Sequence, residues 1–242
     1  MTRLDLARPR EITALFGDSL RVYMRHAGTF LALSAVVVLP VHLAVQGVGM
    51  EQLTAGYDNS PDVAETAVPI AVSFLVVAPL INAICIYALR MVEAGERPGA
   101  REALVAGFEA FAPIFFAVVL AAIGIAVGLL LLVLPGIYVA VRWYFVPQTV
   151  VIEDRRTAGA LARSSQIVQG FWWRTLGLVV LVNIAVVVPG LLLSAPFTAI
   201  ADSADRQLWS LIGAAGAETV TAPFVALFST LLYYDLRARR QG

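Results

Sequence analysis

Six apolar stretches, each nearly free of charged residues, dominate this chain. They cover residues 30–48, 68–89, 114–134, 137–152, 176–197 and 211–234. About 20 helical residues cross the hydrocarbon core of a bilayer, and five of the six stretches are close to or above that length. A chain that is 60% hydrophobic has too little polar surface to enclose them in a water-soluble fold. We therefore predict an all-α, polytopic transmembrane bundle of about six spans, forming a single integral membrane domain over residues 1–242.

The fourth stretch is the shortest, at about 16 residues or about 24 Å of helix. Pro135 and Gly136 precede it and predict a tight turn. We expect the third and fourth stretches to form a helical hairpin. If its bend dips below the membrane surface, protein must surround it, because free backbone groups cannot face lipid.

Charged residues are sorted between two sets of loops. Arginines occur in the N-terminal segment, in the loops after the second and fourth stretches, and in the C-terminal tail. The other loops carry mainly carboxylates, such as Glu51, Asp58 and Asp202. Because arginines near the ends of spans stay in the cytoplasm, we place both termini there. Trp172 and Trp173, which precede the fifth stretch, are expected at the inner interface.

Each pair of stretches follows an amphipathic segment on the predicted cytoplasmic side. Leu15 and Phe16 belong to the apolar face of the first, Phe108 to that of the second and Leu161 to that of the third. This layout predicts three interfacial helices and a threefold repeat of helix, span and span. We expect these helices to form a structural cuff; a docking surface for a cytoplasmic protein partner is the alternative.

Ionisable residues within spans are the best indicators of function in a membrane sequence. Arg142 lies in the fourth stretch and Glu218 in the sixth, both about 8–10 Å from the outer face when counted along a helix. We predict that they pair, either as a tether between two spans or as a substrate or proton site. His42, Asn82 and Asn183 complete the candidate intramembrane polar site. Asparagine in a span usually forms hydrogen bonds between helices, and histidine can titrate near neutral pH.

Two segments carry a family resemblance: residues 15–31 (LFGDSLRVYMRHAGTFL) and residues 134–177. The second contains a Pro-Gly-Ile-Tyr turn followed by Arg142, an Ala-Leu-x-Arg-Ser helix around Arg163 and Ser164, and an aromatic pair before the fifth stretch. On these motifs the chain resembles the bacterial glycerophosphoryl diester phosphodiesterase membrane-domain family. The resemblance implies the six-span membrane part without the catalytic domain. We therefore expect a multi-pass protein of the bacterial plasma (inner) membrane.

No catalytic, metal or nucleotide motif is present. GxSxG, HExxH and CxxC are absent, Cys85 is the single cysteine, and a net charge of zero does not favour a nucleic-acid partner. We predict no catalytic residue, no metal site and no cofactor.

Two functions fit this sequence best. The first is a non-enzymatic scaffold or a module that interacts with membrane lipids or a protein partner, with the oligomeric state left open. The alternative is a small transporter or lipid-translocating protein that uses Arg142 and Glu218, which the prolines within spans favour. A third, an intramembrane enzyme, would require convergent catalytic groups or metal ligands, and none are spaced for that.

Overall fold

The computed structural model describes residues 9–46, 63–96, 98–204 and 207–241, and these are helical almost throughout. In chain order the helices are α1 (Ile12–Arg25), α2 (Ala27–Gln46), α3 (Val63–Val72), α4 (Ala78–Glu93), α5 (Ala100–Leu131), α6 (Val133–Arg142), α7 (Val146–Glu153), α8 (Thr157–Val168), α9 (Trp172–Ala204) and α10 (Gln207–Gln241). A π-helical segment, Ser73–Val77, joins α3 to α4. These ranges contain no strand, so the all-α prediction is confirmed for them.

Within the described ranges, five segments are long and apolar enough to cross a membrane. They are Ala27–Val45, Val68–Glu93, Ala100–Leu131, Trp172–Ile200 and Trp209–Gln241. In length and composition they match the first, second, third, fifth and sixth predicted spans. The carboxylate-bearing loop over residues 47–62 and the residues 205–206 lie outside the described ranges.

The fourth predicted span, residues 137–152, is not a continuous helix. It is divided between α6 and α7, which are separated by a turn at residues 143–145. The buried hydroxyl of Ser164 in α8 stabilises this break. It donates a hydrogen bond to the Arg142 carbonyl oxygen at 2.8 Å and accepts one from the Phe145 N–H at 3.1 Å. Backbone groups released by the break are thereby paired without water.

The chain reverses at Leu132, three residues before the turn expected from Pro135 and Gly136. Leu132 is extended (φ −163°, ψ 142°), and Pro135 lies in the first turn of α6, where its missing N–H would have no partner. The predicted hairpin of α5 and α6 is present. A Cβ on Gly128 would meet the Cα of Gly136 at 3.0 Å, so these glycines allow the close approach of the two helices.

The predicted amphipathic segments have three different outcomes. α1 is a separate helix that packs along α10, because the Phe16 ring lies 4.6 Å from that of Phe228 and the Tyr23 hydroxyl donates to the Val220 carbonyl at 2.9 Å. The second segment is not a separate helix, since α5 is continuous from Ala100. α8 is a separate helix, and its Ala160 and Leu161 pack into a small core with α5 and α7. The threefold repeat stays a prediction.

The main core lies where α1, α2, α4 and α10 meet. Its fully buried side chains include Leu15, Phe30, Ile84, Phe228 and Leu231. α9 is the least enclosed span, with 11% of its most apolar window buried against 44% for Val68–Glu93. Most of its surface is therefore left to lipid or to a partner.

Candidate functional site

The predicted pair of Arg142 and Glu218 is not formed. A guanidinium N–H of Arg142 donates to the Tyr138 hydroxyl at 3.2 Å, and the guanidinium carbon lies 5.5 Å from the centre of that ring. Glu218 instead contacts His42, with 2.6 Å between Oε2 and Nε2. The prediction was wrong because it counted depth along a continuous fourth span. Arg142 actually ends α6, so its side chain turns back to the residue one turn earlier.

His42, Glu218 and Ser73 form a cluster that joins α2, α10 and the π-helical segment. The Ser73 hydroxyl lies 3.5 Å from the Glu218 Oε2, which also contacts His42. The Nδ1 atom of His42 is buried and has no partner among the residues that the structure describes. The sequence singled out His42 and Glu218 without joining them, and it missed Ser73, whose signal was a hydroxyl in an apolar run.

The π-helical segment places Ser73 in this cluster. The Ala78 N–H bonds to the Ser73 carbonyl, five residues back, instead of continuing the α-helical pattern. Pro79 follows immediately and has no N–H to contribute. Single π-helical turns within α-helices are frequent at functional sites. The cluster therefore lies directly at such a turn.

Asn82 belongs to a separate buried network with Gln148 and Ser229. The Gln148 amide donates to the Asn82 Oδ1 at 3.1 Å and to the Ser229 hydroxyl at 2.9 Å. These contacts join α4, α7 and α10, which is the interhelical role expected for asparagine in a span. Gln148 was missed by the sequence analysis, although an amide in an apolar stretch was the available signal.

Asn183 contacts none of these groups. Its amide donates to the Val179 carbonyl of its own helix at 2.7 Å, and the side chain is exposed. A groove of about 580 Å³ lies between α9 and α10. Small and hydroxyl-bearing residues contribute much of its lining: Gly190, Ser194, Thr198, Ser210, Ala217 and Thr221. None of the five predicted polar residues lines it.

Asp235 and Glu153 each centre an ion-pair cluster that was not predicted. Asp235, which is fully buried, pairs with Arg174 and Arg239 at 3.1 Å each. Glu153 binds Arg163 through both carboxylate oxygens, at 2.6 and 3.0 Å. Only the arginines were singled out from the sequence, which does not show which charged residues meet.

The aromatic residues at the start of α9 contact α6. The rings of Tyr138 and Trp172 are stacked with centres 5.9 Å apart, and the Trp172 indole N–H donates to the Tyr138 carbonyl at 3.3 Å. In the predicted topology, Trp172 lies at the inner interface and the fourth span starts at the outer face. Stacked rings cannot lie on opposite sides of a core of about 30 Å. Trp172 cannot therefore lie at the inner interface while the start of the fourth span lies at the outer face. If Trp172 is at the inner interface, the depth predicted for Arg142 near the outer face is wrong.

One comparison assigns the chain to a family. The family model described as a domain of unknown function (DUF7847) matches residues 26–236. The chain belongs to the DUF7847 family. A search of the curated proteins and of the solved structures gave no match. The resemblance to the glycerophosphoryl diester phosphodiesterase membrane-domain family stays a prediction.

The DUF7847 region reaches from the start of α2 into the last turns of α10 and contains every polar cluster described above, apart from the Arg239 partner of Asp235. Across the described part of this DUF7847 chain, no group of three or more histidine, cysteine, aspartate or glutamate side chains could hold a metal ion. Cys85 is buried and its surroundings are apolar. The polar contacts described above are hydrogen bonds and ion pairs at separate places in the bundle.

Glu153 lies outside the spans, and its carboxylate accepts hydrogen bonds from the side chains of Arg163 and Tyr233. Burial disfavours its charged form, but hydrogen bonds from Arg163 and Tyr233 outweigh burial and hold the pKa of Glu153 below its ordinary value. The hydrogen bond between Arg163 and Glu153 also raises the pKa of Arg163. Glu153 is therefore ionised at neutral pH, and its contacts fix the end of α7 against α8 and α10.

Proposed function

We propose that this DUF7847 chain is a non-enzymatic integral membrane protein that acts as a scaffold or as a module for lipids or a protein partner. The separation of its intramembrane polar residues supports this function. Asn82 lies in one buried network, Glu218 contacts His42 elsewhere, and Asn183 is bonded to its own helix. A transport site or an active site would require such groups to converge on one accessible cavity.

We further propose that the chain is a multi-pass protein of the bacterial plasma membrane with both ends in the cytoplasm. Contacts between its two ends support this orientation, because Arg10 lies against Asp235 and Arg239. Ends on the same side require an even number of crossings. With five long helices, α5, α6 and α7 must together return the chain to that side, either as two crossings or as a re-entrant hairpin.

Single-cysteine labelling tests this orientation. In a Cys85→Ser background, Glu11→Cys and Gln241→Cys should both react with an impermeant maleimide in inverted vesicles and not in intact spheroplasts. Both positions are exposed, so labelling reports the side of the membrane and not burial. Labelling of the two positions from opposite sides would overturn the proposal.

Reconstituted vesicles test the function itself. We expect vesicles that contain the protein to show the same flux of protons, small solutes and fluorescent phospholipids as protein-free vesicles. Glu218→Gln should leave these rates unchanged. Flux above that of empty vesicles, reduced by Glu218→Gln, would refute the scaffold function and favour transport.

The second candidate is a small transporter or lipid-translocating protein. The observation in its favour is the cluster of His42, Glu218 and Ser73, which combines a titratable pair with a π-helical turn. The groove between α9 and α10 would give a substrate access from the membrane. This candidate predicts that His42→Asn abolishes flux as completely as Glu218→Gln does. Asn82→Leu, in the separate network, should reduce flux only through stability.

A further inference from the structure

We infer that Arg142, together with Tyr138, Trp172 and Trp173, forms a binding site for the phosphate of a membrane phospholipid. This inference rests on the proposed function, because it names the group that a lipid-interacting module would bind. Under this assignment the charge of Arg142 lies at the membrane interface, whereas the sequence predicted it within a span.

The positive charge of Arg142 has no acidic partner in the described ranges. Its guanidinium carries five N–H donors, yet its side chain makes one hydrogen bond, to the neutral Tyr138 hydroxyl. The flat face of Tyr138 lies beneath the guanidinium at 5.5 Å. This cation–π contact holds the guanidinium without neutralising it. A ligand with at least two acceptor oxygens and negative charge would complete its bonding.

The surrounding aromatic residues indicate where in the membrane this charge lies. Trp172 stacks on Tyr138, and Trp173 packs edge-on against Trp172 at 4.6 Å between ring centres. Trp173 is 79% exposed, so protein does not cover it. Amphipathic rings exposed in this way are typical of the headgroup level of a bilayer. The phosphates of the lipids lie at that level.

Neighbouring charges favour an anionic ligand from the same side. Arg174 follows Trp173 directly and belongs to the ion-pair cluster of Asp235, Arg10 and Arg239. This end of the molecule is rich in arginine, and arginine-rich loops face the cytoplasmic leaflet with its anionic lipids. Charge complementarity therefore selects an anionic phospholipid over a neutral glycolipid.

The backbone holds the site in position. Arg142 is the last residue of α6, and its carbonyl accepts the Ser164 hydroxyl at 2.8 Å. The Trp172 indole is anchored on the Tyr138 carbonyl. Both sides of the site are thus tied to α6, one through α8 and one through α9. A preorganised guanidinium loses little freedom when it binds a phosphate.

Lipid binding to the full-length protein tests the site. The protein is purified in an uncharged glycoside detergent and titrated with phosphatidylglycerol, and the lipid-bound fraction is measured by native mass spectrometry. We expect Arg142→Gln to weaken binding about tenfold, since charge-assisted bonds to phosphate are lost. Arg142→Lys should bind with intermediate affinity, because it keeps the charge without the planar pair of donors. Protection of Cys85 from thiol reagents shows that each variant is folded.

Three controls make the result specific. Arg155→Gln removes an exposed arginine that is distant from these rings in the sequence, and it should leave binding unchanged. A phosphate-free glycolipid should bind equally weakly to all variants, and inorganic phosphate should not displace the phospholipid. Equal binding by Arg142→Gln and the wild type, an equal loss in Arg155→Gln, or displacement by inorganic phosphate would each overturn the inference.

The outcome is independent of the flux experiment. Flux together with Arg142-dependent phospholipid binding would refute the scaffold function and leave the lipid site standing. Absence of flux together with Arg142-independent binding would remove the site and leave the scaffold function standing.

Discussion

The fully buried carboxylate of Asp235 accepts a hydrogen bond of 2.5 Å from the backbone N–H of Arg10, although 225 residues separate them in the chain. The Arg10 carbonyl accepts further bonds from Arg174 at 2.9 Å and from Arg239 at 2.8 Å. The two arginines that neutralise Asp235 therefore also hold the N-terminal segment. This cluster fastens the start of α1, the start of α9 and the end of α10 together.

Replacement of Asp235 should destabilise the protein strongly. Asp235→Asn leaves Arg174 and Arg239 without their counter-charge, and loss of one partner of a buried pair costs about 3–5 kcal/mol. Labelling of Cys85 by a thiol-reactive fluorophore during heating measures this change, because the single cysteine is buried until the protein unfolds. Asp154→Asn is the matched control, since Asp154 is exposed and its φ of 51° suits asparagine. An Asp235→Asn protein that unfolds at the wild-type temperature would contradict this role.

Loss of the Ser164 hydroxyl should loosen the break between α6 and α7. Ser164→Ala removes the acceptor of the Phe145 N–H and the donor to the Arg142 carbonyl. Buried backbone groups left without partners cost about 1–3 kcal/mol. We expect faster hydrogen exchange at residues 143–146 and a lower unfolding temperature. Ser165→Ala, one residue away and only partly buried, should change neither measurement.

A methyl group at Gly136 should push α5 and α6 apart. A Cβ at this position would lie 2.7 Å from the backbone nitrogen of Leu129, and a backbone atom cannot move aside as a side chain can. We expect Gly136→Ala to lower the unfolding temperature, because overpacking typically costs about 1–3 kcal/mol. Gly177→Ala is the control, and it should raise the unfolding temperature. No atom lies within 4 Å of its added Cβ, and alanine is about 1 kcal/mol better than glycine within a helix.

The contacts of Glu153 should make part of the stability depend on pH. Because its folded pKa lies below the ordinary value of 4.5, its contribution is complete above that value. It is lost as the pH falls through the lowered folded pKa. The difference in unfolding temperature between the wild type and Glu153→Gln should therefore be constant at neutral pH and shrink in acid. Tyr233→Phe removes one of the bonds that lower the folded pKa, so the decline should be smaller and should end at a higher pH. If the difference in unfolding temperature between the wild type and Glu153→Gln grew on acidification, the pKa of Glu153 would be raised and not lowered by folding.

Hydropathy alone predicted five stretches that the structure shows as helices long and apolar enough to cross a membrane. Apolarity over about 20 residues is a local property, so the sequence contains it directly. The hairpin of α5 and α6 was predicted from Pro135 and Gly136 between two apolar stretches. Its turn was misplaced by three residues, because proline is also favoured in the first turn of a helix and does not by itself mark the reversal. The break in the fourth stretch was not predicted, because Ser164, the residue that stabilises it, lies in a different helix.

The partners of the polar residues were decided only by the tertiary structure. Arg142 and Glu218 were correctly recognised as charges in apolar stretches, yet Glu218 contacts His42, 176 residues away, and Arg142 contacts its own helix. Which side chains meet depends on the rotation of each helix about its axis and on where a helix breaks. Neither is encoded in the composition of one stretch, since both result from the packing of all the helices together. The sequence therefore determined that the chain forms helices long and apolar enough to cross a membrane, whereas the packing determined which of its polar groups meet.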